Sequence, residues 1–110
     1  MDSRLIYARS KYFISSVQWH RHGDSEWLYC GDGKDVKLGF INSQIEHHFS
    51  EDFLYVSWTR TESFMTSKEF VMEIVSKIWG EHNKFSIWDR DFKKVIEFDC
   101  YIGILRLGEK

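Results

Sequence analysis

Apolar residues recur at helical spacing between Met65 and Gly80, and this stretch predicts the principal helix of the chain. Phe70, Val71, Ile74, Val75, Ile78 and Trp79 cover a wide arc when successive residues turn by about 100°. Glu69, Glu73, Ser76 and Lys77 hold the opposite face, with Glu73 and Lys77 a favourable i,i+4 pair. Thr66 and Glu69 have the spacing of a capping box, Met65 and Phe70 that of a hydrophobic staple. Gly80 stands where a left-handed C-terminal residue is wanted. The expected helix covers about residues 66–79 and needs a broad apolar partner, most simply one face of a sheet.

Alternation of period two predicts strands elsewhere. In residues 12–21, Phe13, Ser15, Val17 and Trp19 share one parity, which suits a half-exposed strand. Residues 26–30 read as a short second strand, and residues 36–41, with Val36, Leu38 and Phe40 on one parity, as a third. Turns at Gly23-Asp24-Ser25 and at residues 31–35 separate them, so an antiparallel meander is the simplest account of residues 12–41. Residues 4–8 fit a strand or a helical turn. Residues 42–52 read as a short helix, because Ser43 and Glu46 have capping-box spacing and Ile45 and Phe49 would share a face; a loop is the alternative.

The second half is clearer. In residues 53–59, Leu54, Val56 and Trp58 point one way and Phe53, Tyr55 and Ser57 the other, which predicts a central strand. After a polar link at residues 81–84, residues 85–88 pair with a strand from Lys94 onward across a turn at 89–93. Ile96, Phe98, Cys100 and Ile102 should face the core, because the alternate set carries Glu97 and Asp99. Gly103 marks a bend before residues 104–107. The whole predicts one α+β domain over residues 1–110. Its mainly antiparallel sheet has about five to seven strands, with one principal helix on one face.

Composition narrows the function classes. At 110 residues the chain has the length of one domain with a real core. Five Trp, five Tyr and nine Phe make aromatic packing the main means of burial. The net charge of -2 provides no basic field to recruit nucleic acid. Cys30 and Cys100 are the only cysteines; two thiols do not make a disulfide framework, and both are expected to be reduced and apart. The start turns polar too soon for a signal peptide, and no apolar run is long enough to span a bilayer. A cytoplasmic protein without membrane attachment is the expectation.

Candidate chemistry begins with His20, His22, His47 and His48. Imidazoles two apart on a strand share a face, but no Cys or carboxylate stands at a ligand spacing from them, so surface histidines are expected, with no metal and no cofactor. Cys30, beside Gly31, lacks the surroundings of a cysteine nucleophile and reads as a core thiol. No catalytic residue is assigned. A small nuclease using these histidines with Lys37 or Arg21, or another nucleic-acid-binding or regulatory domain, is the rival reading. The run Gly31-Asp32-Gly33-Lys34-Asp35 lacks both the GK[ST] ending of a phosphate loop and the register of a calcium loop, and reads as a turn.

Acids cluster in the expected turns beside aromatics: Asp24 and Glu26 by Trp27, Glu51 and Asp52 by Phe53, Asp89 and Asp91 by Trp88 and Phe92. Aromatic anchors with charged neighbours are what a tight interface uses. Trp88, Asp89, Asp91 and Phe92 form the favoured partner-binding patch, with Glu51 and Asp52 as the second. In size, α+β pattern, mild acidity, Trp content and lack of a catalytic motif, the chain resembles the small immunity proteins of bacterial contact-dependent inhibition and related polymorphic toxin systems. That resemblance implies a cytoplasmic inhibitor that binds a cognate toxin domain, basic and often a nuclease, and blocks its active site.

Overall fold

Asp2 opens the first helix: its carboxylate accepts the Leu5 N–H at 2.9 Å and caps α1 (Ser3–Phe13). Residues 4–8 are therefore helical. The expected strand over residues 12–21 is overturned, since its alternation is divided among the end of α1, a 3-10 turn at Ile14–Ser16 and the short β1 (Gln18–Trp19). The computed structural model describes residues 1–31, 33–79 and 84–110. Gly80 as a helix cap, Asp32 of the expected turn and residues 81–83 of the expected link lie outside the described residues.

The meander is overturned as well. The second strand shrinks to β2 (Leu28–Tyr29), and both β1 and β2 pair with the last strand of the chain rather than with each other. Gly31 has φ +88°, and a Cβ there would collide with Asp35 O; Lys37 N–H bonds Cys30 O at 2.8 Å. This tight turn leads into α2 (Leu38–His48), not into a strand at 36–41. Ile41, Ile45 and His48 make a buried stripe at helical spacing, and burying it outweighs the local alternation of Val36, Leu38 and Phe40. Ser43 lies inside this helix and is not its cap, while Ile45 and Phe49 are buried as expected.

The remaining elements are β3 (Phe53–Ser57), β4 (Phe64–Ser67), α3 (Val71–Trp79), β5 (Lys84–Trp88), β6 (Lys94–Asp99) and β7 (Ile104–Glu109). The strands form one antiparallel sheet in the order β1-β7-β6-β5-β3-β4, with β2 also on β7. The α+β class is as the patterning predicts. So are the inner position of β3 and the β5–β6 hairpin, in which Trp88 faces Val95 and Lys84 faces Asp99. Gly103 turns at φ +72° just before β7.

The principal helix starts at Val71, not near residue 66. Thr66 is a strand residue opposite Leu54 and caps nothing; Ser67 Oγ accepts the Phe70 N–H at 3.3 Å instead. Met65 is 51% exposed and Phe70 52% exposed, so they do not staple the helix. Ladder pairing with β3 outweighs the local capping signal. Nor does α3 cover its face alone, because α2 lies on the same side. There Leu54, Val56, Ile87, Ile96, Phe98 and Leu105 meet Ile41, Ile45, Val75, Ile78 and Trp79. Phe85 stacks on Phe98 at 4.5 Å, and Trp79 stands edge-on to both.

The opposite face carries a second core. Tyr55, Trp88, Val95 and Phe92 pack with Ile6 of α1, so Val95 is buried although its parity also carries Glu97 and Asp99. Ile102, expected in the core, is exposed in the turn before β7. At the β1 edge, a Cβ on Gly108 would collide with Val17 Cγ1 and stand 2.8 Å from Trp19 Cε3; only glycine lets this strand approach so closely.

Ile78→Ala should lower the unfolding free energy by about 2–5 kcal/mol through a core cavity. Phe70→Ala, outside α3 and exposed, should change it by less than about 1 kcal/mol. Urea unfolding distinguishes this from a helix that begins near residue 66, for which both changes would be costly.

Candidate functional site

Asp89 organises the β5–β6 turn. Its Oδ1 accepts the backbone N–H of Lys93 at 2.7 Å and of Lys94 at 3.0 Å, and its carbonyl accepts the Phe92 N–H at 3.1 Å. This closure forces Phe92 to φ +54°, uncommon for a bulky residue. The ring is thereby turned inward, stacked on Tyr55 at 5.2 Å and against Trp88 at 5.5 Å. Trp88 is fully buried and Phe92 is 2% exposed. Of the favoured patch, then, Trp88 and Phe92 are core and Asp89 is a buried turn brace; Asp91 alone is exposed. The expectation that residues 88–92 project together is corrected. The polar neighbours of Phe92 read as an exposed turn, whereas its ring folds under α1.

The structure joins what remains of both patches. Glu51 Oε2 accepts the Arg90 N–H at 3.4 Å, and Glu51, Tyr55, Arg90 and Asp91 line one shallow depression. Asp52 precedes β3, and its carbonyl accepts the Lys68 N–H at 2.7 Å, which brings Lys68 and Glu69 to the same end of the sheet. Lys68 is itself engaged by Glu46 at 3.3 Å and by Phe49 O at 2.7 Å. Glu51, Asp52, Glu69 and Asp91 thus lie toward one end of the sheet, none of them in an ion pair among the described residues; Arg90, Lys93, Lys94 and Lys110 are the cations at the same end that are likewise without one.

Two apolar side chains adjoin these acids. Tyr55 faces Met65 and Phe53 faces Ser67, so Phe53 and Met65 are diagonal neighbours on the α1 side of the sheet. Phe53 is 44% exposed, and Met65, as noted, is half exposed. Phe53 was legible as an aromatic beside two acids. Met65 was not, because its spacing to Phe70 reads as a staple. The other acid–aromatic cluster is satisfied internally. Arg106 lies between the rings of Trp19 (3.8 Å) and Trp27 (4.5 Å) and pairs with Glu26 (3.1 Å) and Glu97 (2.8 Å).

The histidines separate into different roles. His48 is buried at the end of α2, its Nε2 3.1 Å from Gly108 O, which requires the Nε2–H tautomer as donor. His20 meets its ring edge-on at 5.6 Å and lies 3.9 Å from Glu109. His47 Nδ1 bonds Ser43 O at 2.7 Å, and His22 forms a bridge with Ser25. Among the described residues, no three His, Cys, Asp or Glu side chains are grouped to hold a metal ion. Burial pushes the Cys30 thiol up to about 12, with Lys37 opposing weakly, so thiolate chemistry at neutral pH has no support there. Comparisons of the chain with protein-family models, curated proteins and solved structures gave no match.

Desolvation lowers the His48 pKa from its ordinary 6.5, the Gly108 bond opposing this and His20 and Lys94 reinforcing it. The unfolded chain therefore binds this proton more readily than the folded one. The His48 contribution to stability is whole above pH 6.5 and is lost as pH falls through the lowered folded-state value. Urea titrations between neutral and mildly acidic pH should show His48→Gln, which keeps a donor for Gly108, losing less stability than wild type; equal losses would contradict this.

Phe92→Ala should cost about 3–5 kcal/mol. Asp91→Asn should leave the melting temperature within about 1–2 °C of wild type. A thermal melt in which Phe92→Ala is neutral would contradict the buried-turn geometry.

Proposed function

We propose that this protein is a protein-binding inhibitor of the immunity type, acting in the cytoplasm on a basic toxin domain. The observation that carries the reading is the end of the sheet where the exposed Phe53 and Met65 lie near Glu51, Asp52, Glu69 and Asp91, four acids without an ion pair among the described residues. Exposed apolar side chains beside unpaired carboxylates combine buried contact area with electrostatic steering. A nuclease domain holds its substrate with Lys and Arg, and carboxylates on a rigid sheet end are suited to occupy those groups. Two features keep the surface rigid. Asp89 braces the turn that presents Asp91, and the β3–β4 ladder holds Phe53 beside Met65. The proposed surface keeps Asp91, Glu51 and Asp52 from the two patches of the sequence and drops Trp88 and Phe92, which are core.

Surface plasmon resonance against a toxin domain encoded beside this gene, at two ionic strengths, tests the reading. The combined change Glu51→Gln, Asp52→Asn and Asp91→Asn should slow association by about tenfold at low salt and flatten its salt dependence. Phe53→Ala should mainly speed dissociation. Wild-type protein that neither binds such a domain nor protects cells expressing it would remove the immunity reading.

A further inference from the structure

The outward N–H and C=O groups of a sheet edge are a template for another strand, and proteins usually blunt them. At one side of this sheet the edge is broken up: β1 and β2 are 2 residues each, and both pair with β7. At the other side stands β4, whose one strand neighbour among the described residues is β3. Phe64-Met65-Thr66-Ser67 has no charge, glycine or proline to discourage pairing.

The register fixes which groups point outward. Because Lys68 N–H bonds Asp52 O at 2.7 Å, alternation along the ladder makes Leu54 with Thr66 and Val56 with Phe64 the hydrogen-bonded pairs. Met65 and Ser67 then direct their backbone groups away from β3. Upstream, the Ser63 N–H is taken by Ser3 Oγ at 2.8 Å; downstream, the Ser67 carbonyl is taken by the Phe70 N–H at 3.1 Å. Between these stops, the Met65 N–H and C=O and the Ser67 N–H face outward from the sheet.

Both sides of this edge suit side chains of an added strand. On the α1 side lie Met65 and Phe53, half exposed. On the other side a hollow of about 360 Å³ is lined by Trp58, Phe64, Ile74 and Ile78, with the charged Glu62 and Lys77. It would hold one apolar side chain. Beyond Ser67 the strand would meet Glu69, exposed and without an ion pair among the described residues, while Lys68, which stands between the edge and Asp52, is held by Glu46; the unpaired carboxylate of Glu69 calls for Lys or Arg.

We infer that β4 takes an extended, basic segment of the bound protein as an added strand. Its main-chain bonds run to Met65 and Ser67, one apolar residue fills the Trp58–Ile78 hollow, and a cation beyond Ser67 meets Glu69. This rests on the protein-binding reading above and gives it a geometry.

Random peptides displayed on phage and selected on the immobilised full chain supply the probe. Enriched sequences should alternate apolar and other residues and carry Lys or Arg at one end. Met65→Pro removes the outward N–H without touching a bond to β3 and should weaken a selected peptide by about tenfold or more. Should that variant fold poorly, amide exchange in wild type decides: peptide binding should slow Met65 and Ser67 at least about tenfold. Peptides that leave those amides unprotected, or bind Met65→Pro as tightly, would overturn strand addition. If the same peptides lose affinity on neutralising Glu51, Asp52 and Asp91, the acidic-surface reading survives that result. Enrichment of peptides without cations would count against both. An empty selection, or a wild-type dimer dispersed by Met65→Pro, would overturn the proposal, the dimer assigning the edge to a second copy.

Discussion

Val95 and Ile96 are neighbours on β6, and both are removed from solvent. Adjacent strand residues point to opposite faces, so this strand must be covered twice. The same holds for Leu54 and Tyr55 on β3 and for Ile87 and Trp88 on β5. Apolar burial on both sides of three inner strands is the constraint that the other elements answer. α2 and α3 cover one face, and α1, aided by Phe92, covers the other. The backbone strain at Phe92 is tolerated because its ring fills the space between Tyr55 and Trp88.

The helical cover is centred on the inner strands, and the candidate interface lies where it ends. Over Tyr55 and Ser57, α1 supplies Ile6 and Ser10, the latter hydrogen-bonded to Ser57 Oγ. Phe53 and Met65, further toward the β4 edge, stay half exposed. The acids are there for a related reason. Glu51 and Asp52 precede a strand, Glu69 follows one and Asp91 sits in a turn, so the sheet collects their charges at one end. On the β7 side, by contrast, Trp19, Trp27, Glu26 and Glu97 are all engaged by Arg106.

The strands β3, β5 and β6 were legible because their residues alternate between two covered faces over a tight hairpin. The helix at α3 was legible in kind, since its apolar arc admits no other regular structure. Its start was not, because Thr66 and Glu69 mimic a cap while Phe64–Ser67 pairs with β3, a contact distant in sequence. The first forty residues misled for a physical reason too. α1 mixes polar and apolar residues without a clean stripe, its buried residues being Ile6 and Ser10, and α2 contains Gly39, Asn42 and Ser43, which are poor helix formers. Both are held by tertiary burial rather than local preference. The site was half legible. Glu51, Asp52 and Asp91 follow from turns rich in acids, whereas the inward turn of Trp88 and Phe92 depends on α1, whose helical state residues 4–8 left open.

Amide hydrogen exchange on the free chain tests most directly the claim that cover is complete over the inner strands and ends at β4. The slowest exchange is expected at Val56, Ile87, Val95 and Ile96, close to the rate set by global unfolding, with exchange faster by at least about a hundredfold at Met65 and Ser67. Protection at Met65 and Ser67 equal to that at Val95 and Ile96 would contradict it, because the β4 edge would then already be covered.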